Sequence, residues 1–217
     1  MAALAPDARV LIVRMGALGD IVHALPVLAA LRTHRPDVEV DWLVDVRYAG
    51  VLALVEGLAR LVVVRAGDEG ADGRAVRFAG VAGMGRAIAF LRHRAYAAAL
   101  DLQGLIKSAV FARGSGAVRV LGFERAALRE PAAAWCYREH VPVDDRGHVV
   151  HKNLAMLAPL GVPSAGVTFP WKALPSTVAE TVAADARVVA AGGFALINPG
   201  AAWENKRWPV EQFGALA

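Results

Sequence analysis

The sequence lacks several features that would place the chain outside the cell or in a membrane. It contains a single cysteine, Cys136, which excludes an internal disulfide and favours a reducing compartment. Its longest apolar stretch, 51–64, is interrupted by Glu56 and Arg60 and falls short of the ~20 apolar residues that a membrane-spanning helix requires. The first residues carry neither the basic segment nor the cleavage site of a signal peptide. Together these absences predict a cytoplasmic protein.

The charge balance is mildly basic. The 217 residues include 24 Lys and Arg against 20 Asp and Glu, for a formal net charge of +4. A solvated basic surface explains this balance, and so does an anionic partner such as a nucleotide, an acidic sugar or the inner-membrane surface. The apolar fraction of 56% is rich in alanine, and the length is ample for a buried core.

Strand-like and helix-like segments alternate along the chain. Buried apolar runs predict strands at 9–15, 38–44, 60–64, 98–104 and 117–123. Helical spacing predicts helices at 21–34, 48–57, 85–96, 107–113 and 148–161. The Gly- and Arg-rich segment 66–84 is predicted to be a loop. Repeated strand–helix units of this kind indicate an α/β fold with a doubly wound, Rossmann-like parallel sheet.

The composition changes near the end of the chain and predicts a second domain. Residues 1–165 form the predicted N-terminal domain, and a segment rich in Pro, Gly and Ser makes 166–178 a linker. Residues 179–217 then contain most of a helix predicted over 176–190, one further strand, and a helix that opens at Pro209. Because so few elements cannot bury a core, we expect this segment to be the truncated start of a C-terminal domain.

The first strand is followed by RMGALGD, residues 14–20, and this loop supports two hypotheses. In a dinucleotide-binding oxidoreductase, Gly16 and Gly19 would hold a pyrophosphate, and Asp41 or Asp45 would bind a ribose. The spacing is G-x-x-G, however, and Asp20 would repel a pyrophosphate at the start of the helix. This hypothesis is therefore disfavoured.

The second hypothesis gives Asp20 a chemical role. A helix N-terminus favours an ionised carboxylate, and parallel sheets bind ligands at the carboxyl ends of their strands. Asp20 can therefore accept a proton from a substrate hydroxyl. The alternative from the residues alone is an ordinary helix N-cap, a role that aspartate fills well.

Four segments resemble glycosyltransferase family 9, the ADP-heptose:lipopolysaccharide heptosyltransferases. They are RVLIVRMGALGDIVHALPVLAAL, DLQGLIKSA (101–109), REP (129–131) and INPGAAWENKRWPVEQF (197–213). The second and third are more similar to heptosyltransferase I, which acts on the Kdo sugars of lipid A, than to heptosyltransferase II. The resemblance implies a two-domain GT-B fold, with the acceptor on the N-terminal domain and ADP-heptose mainly on the C-terminal one. It also implies an inverting transfer that needs no metal and no cofactor.

The resemblance assigns roles to individual residues. Asp20 corresponds to the proposed general base. Residues expected to bind the acceptor are Gly16, Gly19, Asp101, Gln103, Lys107 and Arg129, of which Lys107 and Arg129 suit a carboxylate or phosphate. Residues expected to bind the donor phosphates are Gly200, Ala201, Ala202 and Lys206. The alternatives are that Asp101 caps a helix, that Lys107 is merely exposed, and that Lys206 belongs to a solvated basic turn.

The implied partners are ADP-heptose, Kdo-lipid A and the cytoplasmic face of the inner membrane, with no nucleic acid. The basic segment 74–94 fits contact with acceptor sugars and the inner leaflet, and equally a solvated helix face. His140, His148 and His151 complete no metal-ligand motif. Other functions remain open, namely a family 9 transferase with another acceptor or sugar, and a non-catalytic nucleotide- or glycolipid-binding module.

Overall fold

The fold is described from a computed structural model. It covers residues 4–65, 70–72, 75–144, 146–164, 166–173, 184, 192, 200 and 207–216. The chain divides into two compact units, Met1–Lys172 and Ala173–Ala217. The predicted linker, 166–178, straddles this division, and the domain boundaries stay a prediction.

Among the described residues, the first unit contains an eight-stranded sheet. Its strands are β1 (Arg9–Val13), β2 (Glu39–Asp45), β3 (Arg60–Arg65), β4 (Gly70–Asp72), β5 (Ala75–Ala79), β6 (Ala98–Asp101), β7 (Arg119–Phe123) and β8 (Glu139–Val141). The spatial order is β4-β5-β3-β2-β1-β6-β7-β8. Neighbouring strands pair in parallel, apart from the antiparallel pair of β4 and β5.

Helices connect the strands. They are α1 (Leu18–His34), α2 (Ala49–Ala53), α3 (Gly80–His93), α4 (Ile106–Gly114), α5 (Val149–Ala155) and, in the second unit, α6 (Val210–Leu216). Short 3-10 helices lie at Val46–Tyr48, Arg125–Ala127, Pro131–Cys136 and Ala158–Leu160. In the part of the chain that the structure describes, no helix combines the length and apolar character needed to cross a membrane.

The core confirms the predicted doubly wound α/β class. Residues 10–13 of β1 are fully buried between the two helical layers, as a continuous apolar run predicts. The four residues chosen for their helical spacing, Ile21, Leu25, Leu28 and Leu31, are likewise inaccessible to solvent. Every residue from 24 to 31 of α1 is buried as well, so this helix is covered on more than one face, with α5 packed against it. A helix that is apolar all round is a buried helix rather than an amphipathic one.

The prediction of a loop over 66–84 is wrong. β4 and β5 lie inside this segment, and α3 already begins at Gly80. β5 pairs in parallel with β3, with Val76 opposite Val62 and Phe78 opposite Val64. The alternation of Val76 and Phe78 is a strand signal that the surrounding Gly and Arg residues obscured.

The first half of the predicted linker hydrogen-bonds to the segment 54–56 of the first unit. Glu56 N–H donates to the Pro170 carbonyl at 2.8 Å, and Lys172 N–H donates to the Leu54 carbonyl at 2.9 Å. In the second unit, α6 confirms the helix predicted to open at Pro209. The predicted strand and preceding helix of that unit fall almost entirely outside the described residues.

The strand order creates a crevice beside β1. From β1 the chain adds β2, β3 and β5 on one side, then returns to place β6 on the other side of β1. Loops that leave β1 and β6 therefore diverge to opposite faces at the carboxyl edge of the sheet. In open α/β sheets such a reversal of strand order is where ligands bind.

The opposite, amino edge of the sheet is closed by a buried polar network around Asp41. The Asp41 carboxylate has no exposed surface and accepts hydrogen bonds from Tyr96 Oη at 2.7 Å and Arg94 Nε at 2.8 Å. Burial raises the pKa of Tyr96, so its hydroxyl remains a donor. Arg94 also contacts Glu39 at 3.0 Å, and Glu39 in turn contacts Arg9 at 2.8 Å, so two cations and two carboxylates meet here.

We expect Tyr96→Phe to lower the free energy of unfolding by about 1–3 kcal/mol, because the ring is retained while a buried carboxylate loses a donor. Urea denaturation provides the measurement. Tyr48→Phe is the matched control, since the Tyr48 hydroxyl has no hydrogen-bond partner among the described residues; its effect should stay within about 0.5 kcal/mol. Equal losses in the two variants would contradict the assignment of the Asp41 network.

Candidate active site

A cleft of about 480 Å³ opens at the carboxyl edge of the sheet, where the loops after β1, β2, β6 and β7 converge. We call it the strand-end cleft. Its lining comprises Arg14, Met15, Gly16, Ala17, Asp20, Asp45, Arg47, Tyr48, Leu102, Gln103, Leu105, Lys107, Phe123, Ala127, Arg129, Val149, Lys152 and Asn153. All of these residues belong to the first unit.

Arg14 lies in the wall of the cleft and directly follows β1. Only 9% of its side chain is exposed, and its guanidinium donates through Nη1 to the Leu102 carbonyl. Its Nη2 lies 2.6 Å from Oδ2 of Asp20. Burial lowers the pKa of Arg14, and the nearby carboxylates of Asp20 and Asp101 oppose that shift. The strand end thus carries a desolvated cation whose direct partner is Asp20.

Asp20 occupies the first turn of α1, as the sequence predicts. Its Oδ2 accepts the contact from Arg14 and a hydrogen bond from the Ala17 N–H at 3.3 Å. The side chain is 40% exposed, so it is accessible from the cleft. The N-cap of α1 is Ala17, and Asp20, the third helical residue, accepts the N–H of that cap. Asp20 is therefore not the N-cap that the sequence offered as the alternative, although its carboxylate does satisfy the N-terminus of the helix.

Gln103 ties the loop after β6 to the loop after β1. Its Oε1 accepts a hydrogen bond from the Met15 N–H at 2.8 Å. Gly104, the next residue, has a φ of +71°, a left-handed conformation that glycine adopts without a steric penalty. This connection fixes the spacing between the two loops that face each other across the crevice.

Asp101 lies beneath the cleft and does not line it. Its carboxylate is fully buried and accepts four hydrogen bonds, from Gln103 N–H, Gly104 N–H, Ser108 Oγ and Tyr137 Oη, at 2.8–3.3 Å. Burial raises the pKa of Asp101, and these donors oppose the rise. The structure therefore assigns Asp101 to shaping the loop, rather than to the direct acceptor contact that the resemblance implied.

Lys107 and Arg129 supply exposed cations to the cleft from two neighbouring segments. Lys107 lies in the first turn of α4 and is close enough to Asp45 to lower the pKa of that carboxyl. Arg129 precedes Glu130, whose Oε2 accepts the Ile106 N–H at 2.6 Å at the start of α4. Glu130 thereby holds the REP segment against the helix that carries Lys107.

The end of β2 forms the opposite wall. Asp45 Oδ1 accepts from the Arg47 N–H at 3.0 Å and from Arg47 Nε at 2.9 Å. Burial alone would raise the pKa of Asp45, but Arg47 holds it below its ordinary value. Tyr48 packs beside Gly16, where a Cβ would lie 2.6 Å from the Tyr48 ring. Gly16 therefore provides the space that lets the first loop approach this wall.

Helix α5 contributes the remaining polar side chains. Lys152 lines the cleft from the second turn of α5, and the following Asn153 is buried. Asn153 Nδ2 donates to the carbonyl of His23 on α1 at 3.0 Å. This bond docks α5 against α1 and so positions Lys152 near the same opening as Asp20.

The cleft has an excess of positive charge. Arg14, Arg47, Lys107, Arg129 and Lys152 line it, against the two carboxylates of Asp20 and Asp45. Such an arrangement favours an anionic ligand. Within the described ranges, no group of three or more His, Cys, Asp or Glu side chains could hold a metal ion.

The structure brings together most of the predicted site residues of the first unit. Gly16, Asp20, Gln103, Lys107 and Arg129 all line the strand-end cleft. Gly19 is exposed in the first turn of α1 and does not line it. Of the predicted donor residues, Gly200 is exposed, whereas Ala201, Ala202 and Lys206 lie outside the described residues.

The oxidoreductase hypothesis fails on geometry. Asp41 is buried at the amino edge of the sheet in the Tyr96 network, far from the carboxyl edge that would hold a ribose. Asp45 is at the correct edge but is engaged by Arg47. Two arginines of the basic segment 74–94 make contacts within the fold. Arg94 contacts the Asp41 carboxylate, and Arg92 Nε donates to the Gly114 carbonyl at 3.0 Å.

Sequence reasoning missed Arg14, Arg47, Tyr48 and Lys152 as cleft residues. Arg14 could have been found from the sequence. It is a cation that directly follows a fully apolar strand, and a residue in that position lies at the carboxyl edge of a parallel sheet, where ligands bind. Lys152 and Tyr48 carry no comparable signal, since they reach the cleft only through the packing of α5 on α1 and the turn after β2.

Comparison with known proteins gives one family. Residues 84–217 match the model of glycosyltransferase family 9 (heptosyltransferase). The lipopolysaccharide heptosyltransferase 1 of Pseudomonas aeruginosa is 29% identical over 221 residues, covering 96% of this chain and 57% of that protein. The enzyme of the same name from Escherichia coli K12 is 24% identical over 217 residues, covering 96% and 63%. The chain thus spans about three fifths of the length of these relatives.

Solved structures show the same fold. E. coli heptosyltransferase WaaC with ADP-2-deoxy-2-fluoro heptose superposes with a TM-score of 0.69 at 22% identity, covering 96% of this chain and 64% of that one. A family 9 glycosyl transferase from Veillonella parvula gives 0.69 at 17% identity, covering 96% and 58%. These neighbours support the predicted GT-B type of fold.

We expect Gly16→Ala to lower the free energy of unfolding by about 1–3 kcal/mol, because the added methyl group overlaps the Tyr48 ring and forces it to move. Gly19→Ala is the matched control in the same loop: nothing lies within 4 Å of its Cβ position. Alanine at this helical position should be neutral or stabilise by up to about 1 kcal/mol. Urea denaturation of both variants measures the difference, and an equal response would contradict the packing described here.

Proposed function

The chain belongs to glycosyltransferase family 9, and we propose that it takes part in transferring a heptose from ADP-heptose to the Kdo region of the lipopolysaccharide inner core. The observation that carries the proposal is the position of Asp20. It is an accessible carboxylate at the carboxyl edge of the sheet, within a cleft whose lining has five cationic side chains and one other carboxylate, Asp45. A base beside an anion-binding surface suits an acceptor that presents a hydroxyl and negative charges together.

In the proposed step Asp20 is the general base. The acceptor hydroxyl oxygen attacks the anomeric carbon of the heptose while Asp20 takes its proton. The bond from that carbon to the diphosphate oxygen breaks, and ADP leaves with the bonding electron pair. One direct displacement inverts the anomeric centre and needs one carboxylate, in contrast to the two that retaining glycosidases use.

The cationic residues of the cleft are proposed to bind the acceptor. Lys107 and Arg129 are exposed beside Asp20, and their charges match the carboxylates of Kdo or the phosphates of lipid A. Their separate origins, α4 and the REP segment, allow two anionic groups to be held at once. An acceptor on lipid A also requires work at the cytoplasmic face of the inner membrane, which we propose as the site of action.

The donor is proposed to bind through the segment around Gly200, Ala201, Ala202 and Lys206. Small residues before a helix can offer N–H groups to a diphosphate, and a lysine there would stabilise the departing ADP. The support is the match of the family model over this part of the chain, together with two solved structures of E. coli WaaC, one with ADP-2-deoxy-2-fluoro heptose and one with ADP. We propose that no metal ion takes part.

The direct test is mass spectrometry of Kdo-lipid A after incubation with ADP-heptose and the chain in the longest form that its gene encodes. We expect addition of one heptose, with the same yield in EDTA. Asp20→Asn keeps the side-chain shape but removes the base, and should lower kcat by about 10²–10⁴-fold.

Asp7→Asn is a suitable control, since Asp7 is an exposed residue ahead of β1 and outside the cleft. Unimpaired turnover by Asp20→Asn would refute the base assignment. If heptose is transferred to a different acceptor but not to Kdo-lipid A, the proposed reaction type stands and the proposed acceptor is wrong.

Acceptor binding tests the cationic wall separately from catalysis. We expect Lys107→Gln and Arg129→Gln each to raise the acceptor Kd by about 10–100-fold, the loss of one charge-assisted hydrogen bond, without a change in the free energy of unfolding beyond about 0.5 kcal/mol. Calorimetric titration with a soluble Kdo disaccharide measures this. Arg113→Gln, an exposed site in the last turn of α4 outside the cleft, should leave Kd unchanged.

A further inference from the structure

We propose that Arg14 is a positioning residue for the transfer reaction: it holds one oxygen of Asp20 so that the other is presented to the acceptor hydroxyl. This inference rests on the proposed function, because it gives Arg14 a role through the base Asp20. It is carried by the geometry of the first loop.

The backbone of Arg14 is held on both sides. Its N–H donates to the Leu43 carbonyl at 3.3 Å, and its own carbonyl accepts the indole Nε1 of Trp42 at 3.0 Å. Trp42 is among the largest fully buried side chains of the core. The Cα of Arg14 is therefore held by two hydrogen bonds to the buried strand β2, and the direction of its side chain is set from there.

The guanidinium is also held at two points. Nη1 donates to the Leu102 carbonyl, at the start of the loop after β6, and Nη2 contacts Asp20 Oδ2 at 2.6 Å. Nε is buried without a hydrogen-bond partner in the described part of the chain. An arginine placed only for stability would be expected to satisfy this donor, since an unpaired buried N–H costs about 1–3 kcal/mol. The orientation instead serves the contact with Asp20.

The contact leaves the two oxygens of Asp20 in different situations. Oδ2 accepts both Arg14 Nη2 and the Ala17 N–H. Oδ1 has no hydrogen-bond partner among the described residues, and the side chain is 40% exposed. Oδ1 is thus the oxygen left for the proton of a substrate hydroxyl, and Arg14 restricts the rotation that would exchange the two oxygens.

Positioning is a rate effect and need not alter acceptor affinity. A carboxylate fixed in one rotamer meets the hydroxyl in reactive geometry, whereas a freely rotating one samples that geometry for part of the time. The cationic side chains that face an acceptor, Lys107 and Arg129, remain in place when Arg14 is replaced. The predicted signature is therefore a fall in kcat with the acceptor KM retained.

The test is a double-mutant cycle of Arg14→Met and Asp20→Asn in the transfer assay. We expect Arg14→Met to lower kcat about 10–100-fold with the acceptor KM within about twofold, and Arg14→Lys to recover part of the loss. In the Asp20→Asn background Arg14→Met should change kcat by less than about twofold, because the group that Arg14 positions is absent. Arg113→Met, an exposed arginine replaced in the same way, should match the wild type.

The outcomes separate this inference from the function on which it rests. If the wild type transfers heptose and Arg14→Met keeps the wild-type kcat, only the role of Arg14 is overturned. The same conclusion follows if Arg14→Met lowers kcat equally in the wild-type and Asp20→Asn backgrounds. A wild type that transfers no heptose would overturn the proposed function itself.

A second measurement protects the test against misfolding of Arg14→Met. In nitrogen-15 spectra of arginine side chains, the Nη protons of Arg14 should be individually resolved, because Nη1 is held by the Leu102 carbonyl and Nη2 by Asp20, and both contacts slow rotation of the guanidinium. They should merge in Asp20→Asn. Fast rotation in the wild type would overturn the proposal even if no Arg14 variant could be purified.

Discussion

The site depends on the hydrogen bonds to one buried carboxylate, that of Asp101. Asp101 ends β6 with no exposed surface and accepts four hydrogen bonds: two from the loop after β6, one from α4 and one from Tyr137, which follows the 3-10 helix Pro131–Cys136. A buried carboxylate is tolerated only when its hydrogen-bonding capacity is used, so these donors have to stay where they are. Their convergence fixes Gln103, which binds the Met15 N–H and so sets the width of the crevice. The hydrogen bonds that burial of Asp101 requires therefore also fix the distance between the loop after β6 and the loop after β1.

The same loops make it possible to bury Arg14. A guanidinium that loses water needs carbonyl and carboxylate partners in fixed places, and the loop after β6 supplies the first while α1 supplies the second. Breaking a buried pair by removing one partner commonly costs about 3–5 kcal/mol, so the pair helps to fix where α1 begins. The cost is smaller here, because Asp20 is 40% exposed and water can reach its carboxylate. The pair is therefore stable enough to persist and accessible enough to react.

Local pattern predicted much of the fold, and long-range packing decided the rest. The buried runs of β1 and β2 and the spacing of Ile21, Leu25, Leu28 and Leu31 were sufficient for the doubly wound class, because each follows from one element contacting one core. β5 was missed because its five residues lie in a Gly- and Arg-rich segment, and pairing with β3 is what makes them a strand. Asp20, Lys107 and Arg129 were found from motifs. Lys152 was not, because its place depends on Asn153 contacting α1 across 130 positions of sequence.

The balance of charges differs between the two edges of the sheet, and the difference indicates that the carboxyl edge is a binding site. At the amino edge, Arg94 contacts Asp41 and Glu39 and is neutralised within a buried network. At the carboxyl edge, Lys107 and Arg129 are exposed in a cleft whose two carboxylates, Asp20 and Asp45, contact Arg14 and Arg47. Like charges that share a cleft repel each other, so the excess of cations over carboxylates in this lining is not explained by stability. An anionic ligand would supply negative charge there, and the carboxylate that it would meet, Asp20, is held by Arg14 at 2.6 Å.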